Sequence, residues 1–458
     1  MPKYRYLFLL VLAILVPSLA TVGLVQDKAV DIHAAWALAL IGDTFWSIQW
    51  QWPPLSQLAL YAVGVAIAAW LYRLLLCPLK ISRTLHDVGY NKLAGYSRRD
   101  VANDVRRRRR RGDLPPVYPN GWFRVMDSCQ LQPNQVEGVT VLGEKLAVFR
   151  SAGGSVSVLD AYCPHLGADL AVGGQVVGDC LQCPFHGWKF RGEDGKCMGI
   201  PYAEKVPDFA RVKSWPCLES NGCIYIWYHC DGVEPTWTPP IIDEIASGDW
   251  TCRGTTEHMI NAHIEEVPEN AADIAHLNYL HGPLVTAGVD LSSIYSSSWD
   301  FAKHVWRAEW QPDPAPDAHS STMHTQHMVY LFGQKISIAD IKATARQIGP
   351  GIVLLFLESG FGNFMLVQSI TPVEPLLQRL THSVYAGRWV PTCLAKFILW
   401  GEAVQVERDI MIWNNKCYVP RPLLVREDSS ISRHRRWYSQ FYSENSPRFK
   451  FERDSLDW

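Results

Sequence analysis

The sequence predicts an α+β chain: a membrane-embedded N-terminus, then a small antiparallel β-domain, then a larger C-terminal domain. Three observations carry this. Two long apolar runs stand near the N-terminus, a pair of Cys/His loops lies among short β-rich stretches, and an acidic, His-bearing segment precedes a late apolar helical pattern. The membrane anchor is expected over residues 1–80, a basic linker over 81–116, the β-domain over 117–235 and the larger domain over 236–458.

The chain has 458 residues, enough for two or three domains whose cores hold without covalent staples. Its 43 Lys+Arg nearly cancel its 45 Asp+Glu, so no global field points to nucleic acid, and none is expected as a partner. The aromatic load of 19 Trp, 18 Tyr and 16 Phe suits apolar pockets and membrane contact, although a large core accounts for most of it. Twelve cysteines are scattered over this long chain rather than packed into a short secreted one. Two have strong claims as metal ligands, and the rest read as reduced thiols of an intracellular protein. The absence of any Asn-x-Ser/Thr acceptor agrees with a domain facing the cytosol.

The first apolar run extends from Tyr6 to Val25, preceded by Lys3 and Arg5; the second extends from Leu55 to Leu79, interrupted chiefly by Gln57 and Arg73. A spanning helix needs about 20 apolar residues, and both runs qualify. Pro17, Ser18 and Ala20 also fit a processing region, so a cleaved signal peptide is the alternative for the first run. Between the runs stand Lys28 and three aspartates, Asp27, Asp31 and Asp43; after the second come Lys80, Arg83, Arg98, Arg99 and the block Arg106 to Arg111. The positive-inside rule then places both flanks in the cytosol, a hairpin anchor with the bulk of the protein cytosolic, and we expect the endoplasmic reticulum as its membrane. The arginine block could instead be a nuclear signal or a solvated linker, but beside a membrane segment it suits anionic headgroups. Leu114-Pro115-Pro116 closes the tether.

Cys163-Pro164-His165 is followed, after 17 residues, by Cys183-Pro184-Phe185-His186. Each half offers one thiolate and one imidazole on a short loop, which suits a two-iron, two-sulfur cluster with both Cys on one iron and both His on the other. Gly167 and Gly187 permit the tight backbone such loops require. Strands are expected at Val156 to Leu159 and Cys223 to Tyr228. A Cys₂His₂ zinc site is the competing reading, but it normally pairs Cys with Cys and His with His.

The segment Glu265 to His281 contains Glu269, Asp273 and His276 at i, i+4, i+7, hence on one face of an ideal helix. Pro268 suits a first turn, and Pro283 stops the helix near Leu280. His281 lies about 140° further round from His276, so it meets the same metal only if the helix ends there. A non-haem Fe(II) oxygenase needs two His and one carboxylate, with positions left open for O₂. Asp273 is the nearest carboxylate; Asp409, in the apolar helical pattern Glu402 to Trp413, is the better candidate. His258 with His263, and His324 with His327, stand in strand-like stretches and read as structural.

With both sites in this order, the chain from Tyr118 onward resembles the Rieske oxygenase superfamily. Glu269-x₃-Asp273-x₂-His276-x₄-His281 matches its iron motif. The resemblance implies His276, His281 and Asp409 as iron ligands, and Cys163, His165, Cys183 and His186 as cluster ligands. It implies Asp273 as the acid bridging the iron to a cluster histidine of a neighbouring subunit, a homotrimer, and a helix-grip catalytic domain with an antiparallel sheet wrapped around a long helix. Ala168, Phe185 and Trp188 replace the extra cysteines and the serine of respiratory Rieske proteins, which implies a low-potential cluster. Asn120-Gly121-Trp122-Phe123-Arg124, Glu266-Val267-Pro268-Glu269-Asn270, Asp409-Ile410-x-Ile412-Trp413-Asn414 and Arg436-Trp437-Tyr438-Ser439-Gln440-Phe441-Tyr442 are similar to the Neverland family of cholesterol 7-desaturases. That resemblance implies a sterol substrate, O₂, NAD(P)H as external electron source and a reductase partner. A hydroxylase of another steroid or lipid, and a non-catalytic electron carrier, are the competing readings.

Overall fold

The computed structural model describes residues 55–91, 93–108 and 113–449 and divides the chain into two compact units, Met1–Ala69 and Trp70–Trp458. The first apolar run, Tyr6 to Val25, lies outside the described residues. The second forms the helix Leu55–Leu75, of which Ser56–Leu75 is long and apolar enough to cross a membrane. It stops short of the expected Leu79, because Pro78 cannot continue a helix and Leu79–Arg83 forms a strand instead. Part of the arginine block extends a second helix, Arg98–Arg108, on whose surface Asp104 pairs with Arg107 and Arg108.

Within the larger unit, the main sheet has nine strands. Eight run in the spatial order Leu79–Arg83, Trp250–Ile260, Leu377–Gly387, Gly362–Glu374, Ile352–Ser359, Ile341–Ile348, Ser320–Leu331 and Ala302–Pro312. All neighbours are antiparallel except the first pair. Burial alternates along Trp250–Ile260 from Gly254 onward, as expected of a strand with one face on a core. The long helix Thr392–Trp413 packs on this sheet: Val406, Ile410 and Trp413 meet Ile260, Ile370 and Leu380, and Ala395 and Leu399 meet Phe364, Leu366 and Val384. Residues 403–410 of this helix are buried in unbroken succession, so it is enclosed on every side rather than resting one face on a surface. That is the grip the sequence implied. It also explains how polar Gln405, Arg408 and Asp409 come to be interior.

The β-domain comprises three small sheets. The expected strands form at Val156–Asp160 and Cys223–Tyr228. Phe149, Leu159, Leu181 and Phe190 fill a core of its own beneath the cysteine loops. Burying each such side chain contributes roughly 1.5–3 kcal/mol. The domain is tied to the main sheet by Leu142 and Gly143, whose amides donate to Pro372 and Val373, and by Thr371, whose hydroxyl donates to the Arg124 carbonyl. All twelve cysteines are free.

Candidate active site

The two cysteine loops are built alike. The Cys163 amide donates to Ala168 O at 2.9 Å and the Cys183 amide to Trp188 O at 2.8 Å, while Gly167 N and Gly187 N return to the cysteine carbonyls. Both glycines hold positive φ, +74° and +73°, which closes each loop in a conformation other residues rarely adopt. The loops bring the Cys163 and Cys183 thiols, both buried, against one another; burial first, and then the second thiol, push Cys163 up to about 11. Backbone amides of His165 and Leu166 oppose that shift, since they donate to the sulfur and favour the thiolate. His165 and His186, half-buried, face each other with ring centroids 4.7 Å apart. Two thiols at one pole and two imidazoles at the other fit a [2Fe–2S] cluster. Trp188, read from sequence only as a missing serine, stacks on His165 at 4.8 Å and donates to the Tyr202 hydroxyl at 2.9 Å.

The segment Glu265 to His281 is not the continuous helix the spacing predicts. It breaks into 3₁₀ turns at Ile264–Glu266 and Pro268–Ala271 and a short α-helix, Ile274–Tyr279. Asp273 is the cause: its side chain accepts from the His276 amide, so it caps a new helix rather than continuing the old one. Glu269 consequently points away from that helix's face and pairs with Arg435. The helix ends at Tyr279, as Pro283 suggested, and that frees His281 to turn back towards His276.

His276, His281 and Asp409 converge: their ligand atoms all lie within 4.8 Å of one another. His281 Nε2 is 3.2 Å from Asp409 Oδ1, and the two imidazoles stand edge to face. Each histidine is oriented through its other nitrogen. His281 Nδ1 donates to Gln405 Oε1 at 2.8 Å and His276 Nδ1 donates to the Asp273 carbonyl, so both Nε2 atoms are left for a metal. Burial opposes protonation of both rings. At His281 the Asp409 charge, its hydrogen bond and that to Gln405 more than offset this, and at His276 burial prevails. Arg408, fully buried, donates to the carbonyls of Leu280, Pro283, Leu284 and Gly288, fixing the loop that follows His281. Two imidazoles and a carboxylate on one side of an open space are the donor set of a mononuclear Fe(II) site.

That space is a cavity of about 570 Å³, lined mainly by apolar side chains of the sheet and the long helix, with Glu402, Gln405 and Asp409 on one helix face reaching it. Its volume falls in the roughly 300–1,000 Å³ range that encloses a compact organic ligand. Asp273 is about one-third exposed and does not line this cavity. His258 and His263 are structural, as read: they bond to Glu407 and to the Pro116 carbonyl. His324 is exposed beside Thr344, but His327 lines the cavity, contrary to the structural reading.

The sequence of residues 121–216 matches the Rieske [2Fe–2S] domain, and that of 226–442 matches the 3-ketosteroid 9alpha-hydroxylase C-terminal domain. A cholesterol 7-desaturase of Xenopus laevis is 55% identical over 393 residues, covering 86% of this chain and 87% of the relative. The chain belongs to the Neverland family of cholesterol 7-desaturases. It is therefore a Rieske-type non-haem iron enzyme, with a Rieske [2Fe–2S] domain and a mononuclear iron-binding site. The Caenorhabditis elegans cholesterol 7-desaturase is 44% identical, covering 87% of this chain and 95% of the relative. Among solved structures, dicamba monooxygenase bound to 3,6-dichlorosalicylic acid superimposes with a TM-score of 0.53, covering 70% of this chain and 97% of that one; at 18% identity the likeness is one of fold. Gln405 and Arg408 were missed in the sequence, although Gln405 stands four residues before Asp409, on the same helical face.

Proposed function

We propose that this chain desaturates cholesterol between C7 and C8, giving 7-dehydrocholesterol for steroid-hormone synthesis, with O₂ and with electrons that a reductase draws from NAD(P)H. The observation that carries the reading is the His276, His281 and Asp409 triad facing an apolar cavity. Cys163, His165, Cys183 and His186 would hold the cluster, which would supply single electrons, and His276, His281 and Asp409 would hold the iron, which would supply the oxygen activation needed to remove hydrogen from an unactivated C–H bond. Gln405 and the Asp273 carbonyl fix the imidazole tautomers, and Arg408 keeps His281 in place. The apolar lining takes the sterol's hydrocarbon out of water and excludes water from the reacting carbon. Ile338, Phe361 and Phe397 both line this cavity and are largely exposed, so its opening is itself apolar, as suits a substrate that arrives from a membrane.

Asp273 is the bridging acid, and it works between subunits of a homotrimer. Two features support this. Among the described residues no hydrogen bond, ion pair or ring contact joins the cysteine loops to residues 273–281 of the same chain. The loops also carry exposed Tyr162, Leu166 and Phe185, with exposed Tyr202 beside them, a tip suited to another copy. The endoplasmic reticulum, with the catalytic part facing the cytosol, is the compartment we infer.

A hydroxylase of a steroid is the second reading, favoured by the 31% identity to a probable 3-ketosteroid-9-alpha-monooxygenase oxygenase component of Rhodococcus rhodochrous. Supplying cholesterol to cells that express the chain, and analysing sterols by mass spectrometry, separates the two. A product lacking two hydrogens supports desaturation; a product gaining one oxygen, or no conversion, overturns it.

A further inference from the structure

Two histidines that the iron site does not use stand in the cavity wall. His304 and His327 lie on the paired strands Ala302–Pro312 and Ser320–Leu331, diagonal to one another, since Trp306 is the residue directly opposite His327. His304 Nδ1 and His327 Nε2 are 2.6 Å apart. The Trp306 ring packs on His327 with centroids 4.2 Å apart. Both histidines line the cavity, and His327 is nine-tenths buried. Their outer nitrogens, His304 Nε2 and His327 Nδ1, are buried and bond to no described residue. A buried polar atom without a partner costs free energy, so such a pair facing an apolar cavity calls for a ligand group to complete it.

The pair also sits at the reacting end of the cavity. The His304 amide donates to Gly282 O at 2.7 Å, immediately after His281, and Trp306 Nε1 donates to the His281 carbonyl at 3.4 Å. In a sterol desaturated at C7, the 3-hydroxyl is carried by the ring next to the one that reacts. The group that receives it must therefore lie one ring from the iron and not at the far end of the cavity, where the hydrocarbon tail extends.

The tautomers fix which polar group fits. If His304 Nδ1 donates to His327, then His304 Nε2 is a bare acceptor and His327 Nδ1 carries a proton; if His327 donates, both assignments reverse. In either arrangement the neutral pair presents one donor and one acceptor. A hydroxyl, itself donor and acceptor, suits either nitrogen in either arrangement. A ketone accepts only, and suits one of the two. Burial, and then the neighbouring ring, hold His304 down to about 3, and burial holds His327 down to about 4, so both rings are neutral.

We propose that His304 and His327 together form the receptor for the substrate's ring hydroxyl, and so set which end of the sterol enters beside the iron. This rests on the sterol reading above. The test is equilibrium binding to the full-length chain with both iron centres loaded, under argon so that nothing turns over, using cholesterol and its 3-deoxy analogue cholest-5-ene. The wild-type chain is expected to bind cholesterol roughly tenfold more tightly. His327→Phe and His304→Phe should each abolish that preference while holding cholest-5-ene as tightly as before. Thr325→Val, which removes a buried hydroxyl on the same strand face that bonds to no described residue, should keep the preference. Equal affinity of the wild-type chain for the two sterols overturns the receptor alone, and needs no variant to fold. Loss of the preference in Thr325→Val but not in His327→Phe overturns it too. Failure of the wild-type chain to bind either sterol overturns the sterol reading, and the receptor with it.

Discussion

Gln405 Oε1 accepts the Nδ1 proton of His281 at 2.8 Å, and through that bond a neutral residue four positions before Asp409 leaves Nε2 as the His281 nitrogen that faces Asp409. Gln405 is nearly buried and is itself held by Arg408 Nη1 at 3.2 Å, so the amide cannot easily turn its nitrogen towards the ring. Gln405→Leu should keep the fold and the cluster's visible absorption, but weaken retention of the mononuclear iron by roughly 10–100-fold. Chelator competition followed by iron analysis measures this, and wild-type retention would show that His281 needs no such partner.

Asp409→Ala should release the mononuclear iron outright. Asp409 supplies the only carboxylate of the converging triad, and His281 alone with His276 leaves the metal two protein ligands. Iron per chain should fall by one, with the cluster's reducible absorption intact and sterol conversion lost. A variant that retained activity would place the third ligand elsewhere.

Asp273→Asn isolates the bridging role from the structural one. Asparagine caps helices about as well as aspartate, so the helix Ile274–Tyr279, and the bond from His276 Nδ1 to the backbone carbonyl of residue 273, should persist. Both iron centres should load, while oxidation of the pre-reduced cluster on adding sterol and O₂ should slow by orders of magnitude. Stopped-flow spectroscopy reads that rate directly; an unchanged rate would remove Asp273 from the electron path.

The parts legible in the sequence were those written in residue type and short spacing. The mixed Cys/His loops with Gly167 and Gly187 describe a local turn, and Asp273 to His281 a local helix end; each needs few distant contacts. The helix Glu265 to His281 was misread because Asp273 satisfies both a helical period and an N-cap, and only the packing of Glu269 against Arg435 settles which applies. Gln405, Arg408 and the His304–His327 pair were not legible, since each acquires its role from a partner at least 20 residues away. The aromatic motif Arg436 to Tyr442 acts through packing: Trp437, Tyr438 and Phe441 form one core with Trp310, which lines the cavity, and with Ala272, the residue before Asp273.

Four buried histidines and the half-buried His304 set the acid limit of the fold. Burial, the largest cause in each, holds His263 and His327 to about 4 and His304, His382 and His434 to about 3, all below the ordinary value of 6.5. The unfolded chain therefore binds more protons than the folded one between these values and 6.5, and stability falls as pH falls through that window, by up to about 1.4 kcal/mol per pH unit for each histidine. His434 is the cleanest probe, fully buried among Trp310, Trp437 and Tyr438 with neither ring nitrogen hydrogen-bonded to a described residue. His434→Phe should flatten the acid limb by one proton and leave stability above pH 7 little changed. Urea melts at a series of pH values test it, and an unaltered slope would mean that His434 is not neutral in the folded chain.

Gly401 stands inside the long helix Thr392–Trp413 and borders the cavity, where a Cβ added to it would meet nothing within 4 Å. A glycine at a helix interior costs roughly 0.5–1 kcal/mol relative to alanine, and no neighbouring atom here demands its small size. The space it leaves open belongs to the cavity. Gly401→Ala should therefore raise stability by about that amount and leave sterol affinity nearly unchanged. Gly401→Phe should keep both iron centres and the fold, but fill the cavity beside Glu402 and Gln405 and weaken cholesterol binding by an order of magnitude or more. Thermal melting and sterol binding on the same two variants separate the effects. If the phenylalanine variant bound cholesterol as the wild-type chain does, the sterol would lie outside this stretch of the cavity, and the helix glycine would have some other reason to be there.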